Sequence, residues 1–184
     1  MEIRRWNPPV ETTAQEELLL KRLAKKRKLF GFLRRHRHRL FDEALQNELA
    51  GMYRQTGAGK EPITPALMAM ACLLQGYTRM SDADSVEMTV VDLRWQLVLD
   101  CLGNTEPAFS QGAFRGFRER LIAHDMDRRL LERTVELAEE TGEFDARKLP
   151  KSLRLAIDSS PLQGAGRVEH QPGRVARSGL AIVH

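Results

Sequence analysis

The sequence predicts a mainly α protein: a multi-helix domain over residues 14–142, then a single β-strand, then a disordered tail. Three observations carry this. Apolar residues recur at helical spacing from Thr13 to Gly142. The period switches to two at Leu153, Leu155 and Ile157, which alternate with Arg154 and Ala156. After about residue 162 the chain is rich in Gly, Arg and Pro and keeps no period.

The elements follow in order. Residues 1–13 read as a flexible N-terminus. From Thr13 to about Gly31, Leu19, Leu23 and Phe30 keep helical spacing while Lys21, Lys25 and Lys28 share another face, which predicts a basic amphipathic helix. A second helix is expected from about His38 to Arg54, with Phe41, Leu45, Leu49, Met52 and Tyr53 as its stripe and Gly57-Ala58-Gly59 as its break. Thr64-Pro65 signals a helix start, cap then proline. Leu67, Met68, Met70, Ala71, Leu73, Leu74 and Tyr77 make that helix apolar nearly all round, so it belongs in the core. Ser81-Asp82-Ala83-Asp84 caps a short helix toward Val90, and Val91, Trp95, Val98 and Leu102 continue an apolar stripe to Gly103. Ser110 caps a helix with Phe114, Phe117 and Leu121 inward and Arg115, Arg118 and Arg120 mostly outward. A last helix, Met126 to Glu140, ends at Gly142.

At 184 residues, 42% hydrophobic and 29% charged, the chain has the composition of a globular domain with a real core. No stretch has the length and apolarity of a signal peptide or membrane span, so a soluble, cytoplasmic protein is expected, with no membrane partner. Cys72 and Cys101 sit in apolar helical stretches and read as buried thiols of a reducing compartment.

A net charge of +4 says little, but its distribution is uneven. Lys21, Arg22, Lys25, Lys26, Arg27, Lys28, Arg34, Arg35, Arg37 and Arg39, with His36 and His38, form a block with no acid between Lys21 and Phe41. Blocks of this kind follow phosphates or form a solvated helix face. Gly57-Ala58-Gly59-Lys60 lacks the spacing and the preceding strand of a phosphate loop and reads as an inter-helix loop. Trp95, Tyr77 and the methionines at 68, 70 and 88 read as core.

The ordered pieces Ser81-Asp82-Ala83-Asp84-Ser85-Val86-Glu87, Asp92-Leu93-Arg94-Trp95, Pro107-Ala108-Phe109-Ser110 and Phe114-Arg115-Gly116-Phe117-Arg118-Glu119-Arg120-Leu121 resemble the InsH-like N-terminal domain of bacterial DDE-type insertion-sequence transposases. The resemblance covers roughly residues 30 to 169. It implies a helix-turn-helix-like segment between Ser81 and Leu121 and a partner, the terminal repeats of the element. Homo-oligomers or assembly with a full-length transposase are also expected. The basic block supplies the candidate DNA contacts Lys21, Arg22, Lys25, Lys26, Lys28, Arg34, Arg35, Arg37 and Arg39, and the helix-turn-helix-like segment adds Arg115 and Arg118. The arginines after Ser110 fit base contact, or an outer face kept wet by charge.

Lys148 to Pro161 resembles the first strand of the family's ribonuclease-H-like catalytic domain, which implies that residues 143–162 begin that domain and that Asp158 is the first of its three acids. In an intact family member Asp158 would bind Mg²⁺, since two-ion phosphoryl chemistry needs several carboxylates. Past Asp158 the only acid is Glu169. The expectation is therefore a truncated catalytic domain, a frame-shifted tail over residues 163–184, no cofactor, and no catalysis by this chain. A fragment that modulates a full-length transposase, or a nonfunctional remnant, is the alternative.

Overall fold

A computed structural model describes residues 3–53 and 62–153. Among them the chain forms eight α-helices and no strand: α1 (Ala14–Leu23), α2 (Lys28–Leu40), α3 (Glu43–Gly51), α4 (Pro65–Thr78), α5 (Asp82–Val91), α6 (Leu93–Leu99), α7 (Gln111–Ala123) and α8 (Met126–Thr141), then a 3₁₀ turn at Ala146–Lys148. Mainly helical architecture is thus shown. Residues 154–157 of the expected strand, Asp158, the tail and the Gly57–Lys60 loop lie outside the described residues.

The all-round apolar helix is central as expected. From Ala66 to Gly76 only Leu67 escapes full burial in α4, which packs against α3, α5, α6 and α7. Pro65 starts it; the Thr64 side chain makes no cap bond. Local start signals hold elsewhere: the Ser81 hydroxyl accepts from the Asp84 amide at 3.1 Å and the Ser110 hydroxyl from the Ala113 amide at 3.2 Å. Asp92 ends α5 in an extended conformation and caps α6, accepting from the Arg94 amide at 2.7 Å. That break turns Val91 and Leu93 outward, so Val91 leaves the stripe assigned to it.

The first two helices need correction. The expected helix from Thr13 to Gly31 is two helices that fold back on each other, and the expected start at His38 lies inside α2. The reason is a buried ion pair. Arg34 Nε donates to Glu16 Oε1 at 2.7 Å, with both side chains nearly inaccessible. In one continuous helix these residues would stand about 27 Å apart along the axis. The turn after Leu23 also brings Leu20 and Leu23 onto a core containing Leu29, Phe30 and Leu33. A further break at Phe41 follows because Asp42 caps α3, accepting from the Leu45 amide at 2.9 Å.

Burial alone would raise the Glu16 carboxyl. Hydrogen bonds from Arg34 and the Thr13 amide, with the charges of Arg34 and Arg37, outweigh it and hold the group below its ordinary 4.5. A depressed carboxylate contributes stability above 4.5 that disappears as pH falls through its lower folded value. Glu16→Gln is therefore expected to lower the urea midpoint at pH 7 and to narrow its gap from wild type by pH 3. Parallel curves at every pH would contradict this.

Within the stretch read as a flexible N-terminus, Trp6 is a fixed point. Its ring meets Phe41 edge-on at 5.6 Å between centroids, and the buried Gln46 side chain bonds both its amide and its carbonyl. At the other end the core extends past Gly142: Phe144 stacks on Phe32, and Leu149 and Leu153 are buried. Gly76 makes the last contact possible, because a Cβ there would stand 2.8 Å from Leu153 Cδ2. Gly76→Ala is expected to cost about 1–3 kcal/mol in overpacking, offset by about 1 kcal/mol of helix propensity. Displaced Leu153 should speed tryptic cleavage after Lys151; unchanged cleavage would show that Leu153 is not held by this approach.

Candidate nucleic-acid interface

The fold sorts the basic block into three groups. Lys21 and Arg22 occupy the last turn of α1, Lys25, Lys26 and Arg27 the turn, and Lys28 the start of α2. All six are exposed, and none has an ion pair with any described residue. The fold-back that buries Leu23 and Leu29 gathers them at one corner. Their charges also offset the negative C-terminal end of α1.

Arg35 and Arg39 are half-exposed but paired across to the end of α8, with Glu143 at 2.8 Å and Glu140 at 2.6 Å. His36 Nε2 shares Glu143 at 3.0 Å, and His38 is held below its ordinary value by burial and by the neighbouring His36, Arg39, Arg34 and Arg37.

Arg34 and Arg37 point inward. Besides Glu16, Arg34 donates to the Glu11 carbonyl at 2.8 Å. Arg37 donates to the Leu97 and Val98 carbonyls, each at 3.1 Å, and to Asp100 at 3.0 Å. It thereby satisfies the last-turn carbonyls of α6. Burial, then repulsion from Arg34, pushes the Arg37 guanidinium down to about 10, and the Asp100 carboxylate partly restores it. These two side chains hold the bundle together and offer nothing to a phosphate.

Helix α7 divides in the same way. Arg115 is exposed and paired with Glu119 at 2.9 Å. Arg118 is buried, ion-paired with Asp82 and donating to Gln75 Oε1 at 3.0 Å, and Gln75 Nε2 donates to Asp82 at 2.8 Å. Arg120 lies over the Tyr53 ring, 4.2 Å from its centroid. The expected outward row of three arginines is thus one outward side chain. Arg27, absent from the contacts the sequence implied, is exposed with its neighbours; its place within the acid-free run was the available signal.

No described group of three or more His, Cys, Asp or Glu side chains is placed to hold a metal ion. Asp158 lies outside the described residues. No helix among the described residues is long and apolar enough to cross a membrane.

Fold and surface together define a helical domain whose α1–α2 corner carries six exposed cations without ion pairs to described residues, the kind of surface that suits a polyanion. The chain belongs to the family described as Transposase domain (DUF772), whose model matches residues 19–120, from within α1 to within α7. No curated protein and no solved structure matches it.

Proposed function

We propose that this transposase-family domain binds DNA through Lys21, Arg22, Lys25, Lys26, Arg27 and Lys28, and that the DNA is the terminal repeat of an insertion sequence mobilised by a DDE-type transposase with an InsH-like N-terminal region. The observation that supports it is the gathering of six exposed cations, without ion pairs to described residues, at the α1–α2 corner. Such a surface contacts backbone phosphates, which positions the protein without reading sequence. Arg115, the outward side chain of the α7 trio, is the candidate for a base edge. The helical part contributes DNA contact, and this chain carries out no strand transfer by itself, since by resemblance Asp158 is the first catalytic acid and Glu169 is the only acid after it.

The test is retardation of a labelled terminal-repeat duplex, against a scrambled duplex, across a salt series. Binding that falls steeply with salt supports phosphate contact, and preference for the repeat supports end recognition. No retardation at low salt overturns both.

A further inference from the structure

A second cationic site lies apart from the α1–α2 corner, between the N-terminal segment, α3 and the start of α4. Here the N-terminal segment runs beside α3 and leaves a largely polar cleft of about 490 Å³ lined by Arg4, Arg5, Asn47, Tyr53 and Pro65. The geometry points to this cleft as a binding site for a phosphate oxyanion, carried by a nucleotide or by a nucleic-acid strand. It goes beyond the corner proposed above and does not depend on it.

The cleft is held in place before any ligand arrives. Gln46 Oε1 accepts from the Trp6 amide at 2.8 Å and Gln46 Nε2 donates to the Trp6 carbonyl at 3.1 Å, so the backbone next to Arg5 is clamped to α3. Arg5 Nη2 donates to Asn47 Oδ1 at 2.9 Å. That bond takes the amide oxygen of Asn47 and leaves Nδ2 as a donor. Arg5 Nη1 also meets Glu43 at 3.1 Å, the one acid in contact with these groups among the described residues, and an exposed one. Arg4 has no ion pair with a described residue. Tyr53, one wall of the cleft, carries Arg120 over its ring. Among the described residues that line it, the guanidiniums of Arg4 and Arg5 stand against the one carboxylate of Glu43, with the Asn47 amide nitrogen as a further donor. Planar guanidinium forks bind phosphate oxygens in pairs and more strongly than neutral donors do. An acidic or apolar ligand lacking oxyanion geometry would leave those donors unmet.

The experiment follows the side-chain Nε–H resonances of Arg4 and Arg5 in the ¹⁵N-labelled full chain at constant ionic strength, titrating inorganic phosphate, a nucleoside 5′-monophosphate, and duplex DNA. Saturable shifts with the first two identify a free-anion site; saturable shifts with the duplex alone identify a strand phosphate. Either supports the proposal. Arg4→Ala leaves every described contact intact and is expected to weaken the saturating response at Arg5 about tenfold, whereas Lys25→Ala should not change it. No saturable shift with any of the three overturns the proposal, as does a drift shared equally by exposed Arg115, which would be screening alone. Because the readout is local, it can fail while salt-dependent duplex binding at Lys25 and Lys26 persists, or succeed while that binding fails.

Discussion

Arg118→Ala is expected to destabilise the domain by about 3–5 kcal/mol in urea titration, the range for removing one partner of a buried ion pair. Arg118 and Asp82 are both almost fully buried, and Gln75 closes the triangle by bonding each of them. Truncating the arginine strands the Asp82 carboxylate in that site and leaves Gln75 Oε1 without its donor. At roughly 2–4 °C per kcal/mol for a domain of this size, the melting point should fall by about 6–20 °C. Arg115→Ala, which loses only an exposed pair with Glu119, should stay within about 0.5 kcal/mol of wild type. Equal stability of the two variants would show that Arg118 is not held as described. A loss of DNA binding in Arg118→Ala therefore reports unfolding unless it is measured at a temperature where the variant is folded.

Replacing Lys25, Lys26 and Lys28 together by alanine is expected to flatten the plot of log K against log salt by about 2.7, because each lost phosphate contact on duplex DNA removes about 0.9 from the slope. Near 0.1 M salt this corresponds to roughly 10²- to 10³-fold weaker binding. All three side chains are exposed and unpaired with described residues, so the fold should survive, and an unchanged melting curve is the control. The parallel replacement of Arg35 and Arg39 should change the slope less, since Glu143 and Glu140 already neutralise them. If the two variants lose equal slope, phosphate contact is not concentrated at the α1–α2 corner.

The pieces that carry the family resemblance turn out to be joints. Asp82 lies in one of them and Arg118 in another, 36 residues apart in sequence, and the fold pairs them. Asp92 of the third caps α6 and accepts from the Arg94 side chain, and Trp95 beside them is fully buried. None of this is visible in a list of outward-facing arginines, because the spacing within α7 alone leaves Arg118 at the edge of the apolar stripe. Its burial is decided by Gln75 and Asp82 on other helices.

What one-dimensional information determined is local. Ser81 and Ser110 each accept a backbone amide three residues ahead, so these helix starts were legible from residue type alone, whereas the Asp92 cap of α6 was not read from the sequence. The burial of α4 was legible too, since an all-apolar helix has no side to give to water. The acid-free run from Lys21 was likewise plain, and its six exposed cations without an ion pair to a described residue come from its first eight residues. Only tertiary structure decided which cations face water. A charged side chain is buried when partners from distant segments can replace its hydration: Glu16 for Arg34, the α6 carbonyls for Arg37, Asp82 for Arg118. Those partners come together only when α1 folds back on α2 and α7 packs beside α4 and α5, and no local pattern of charge encodes that meeting.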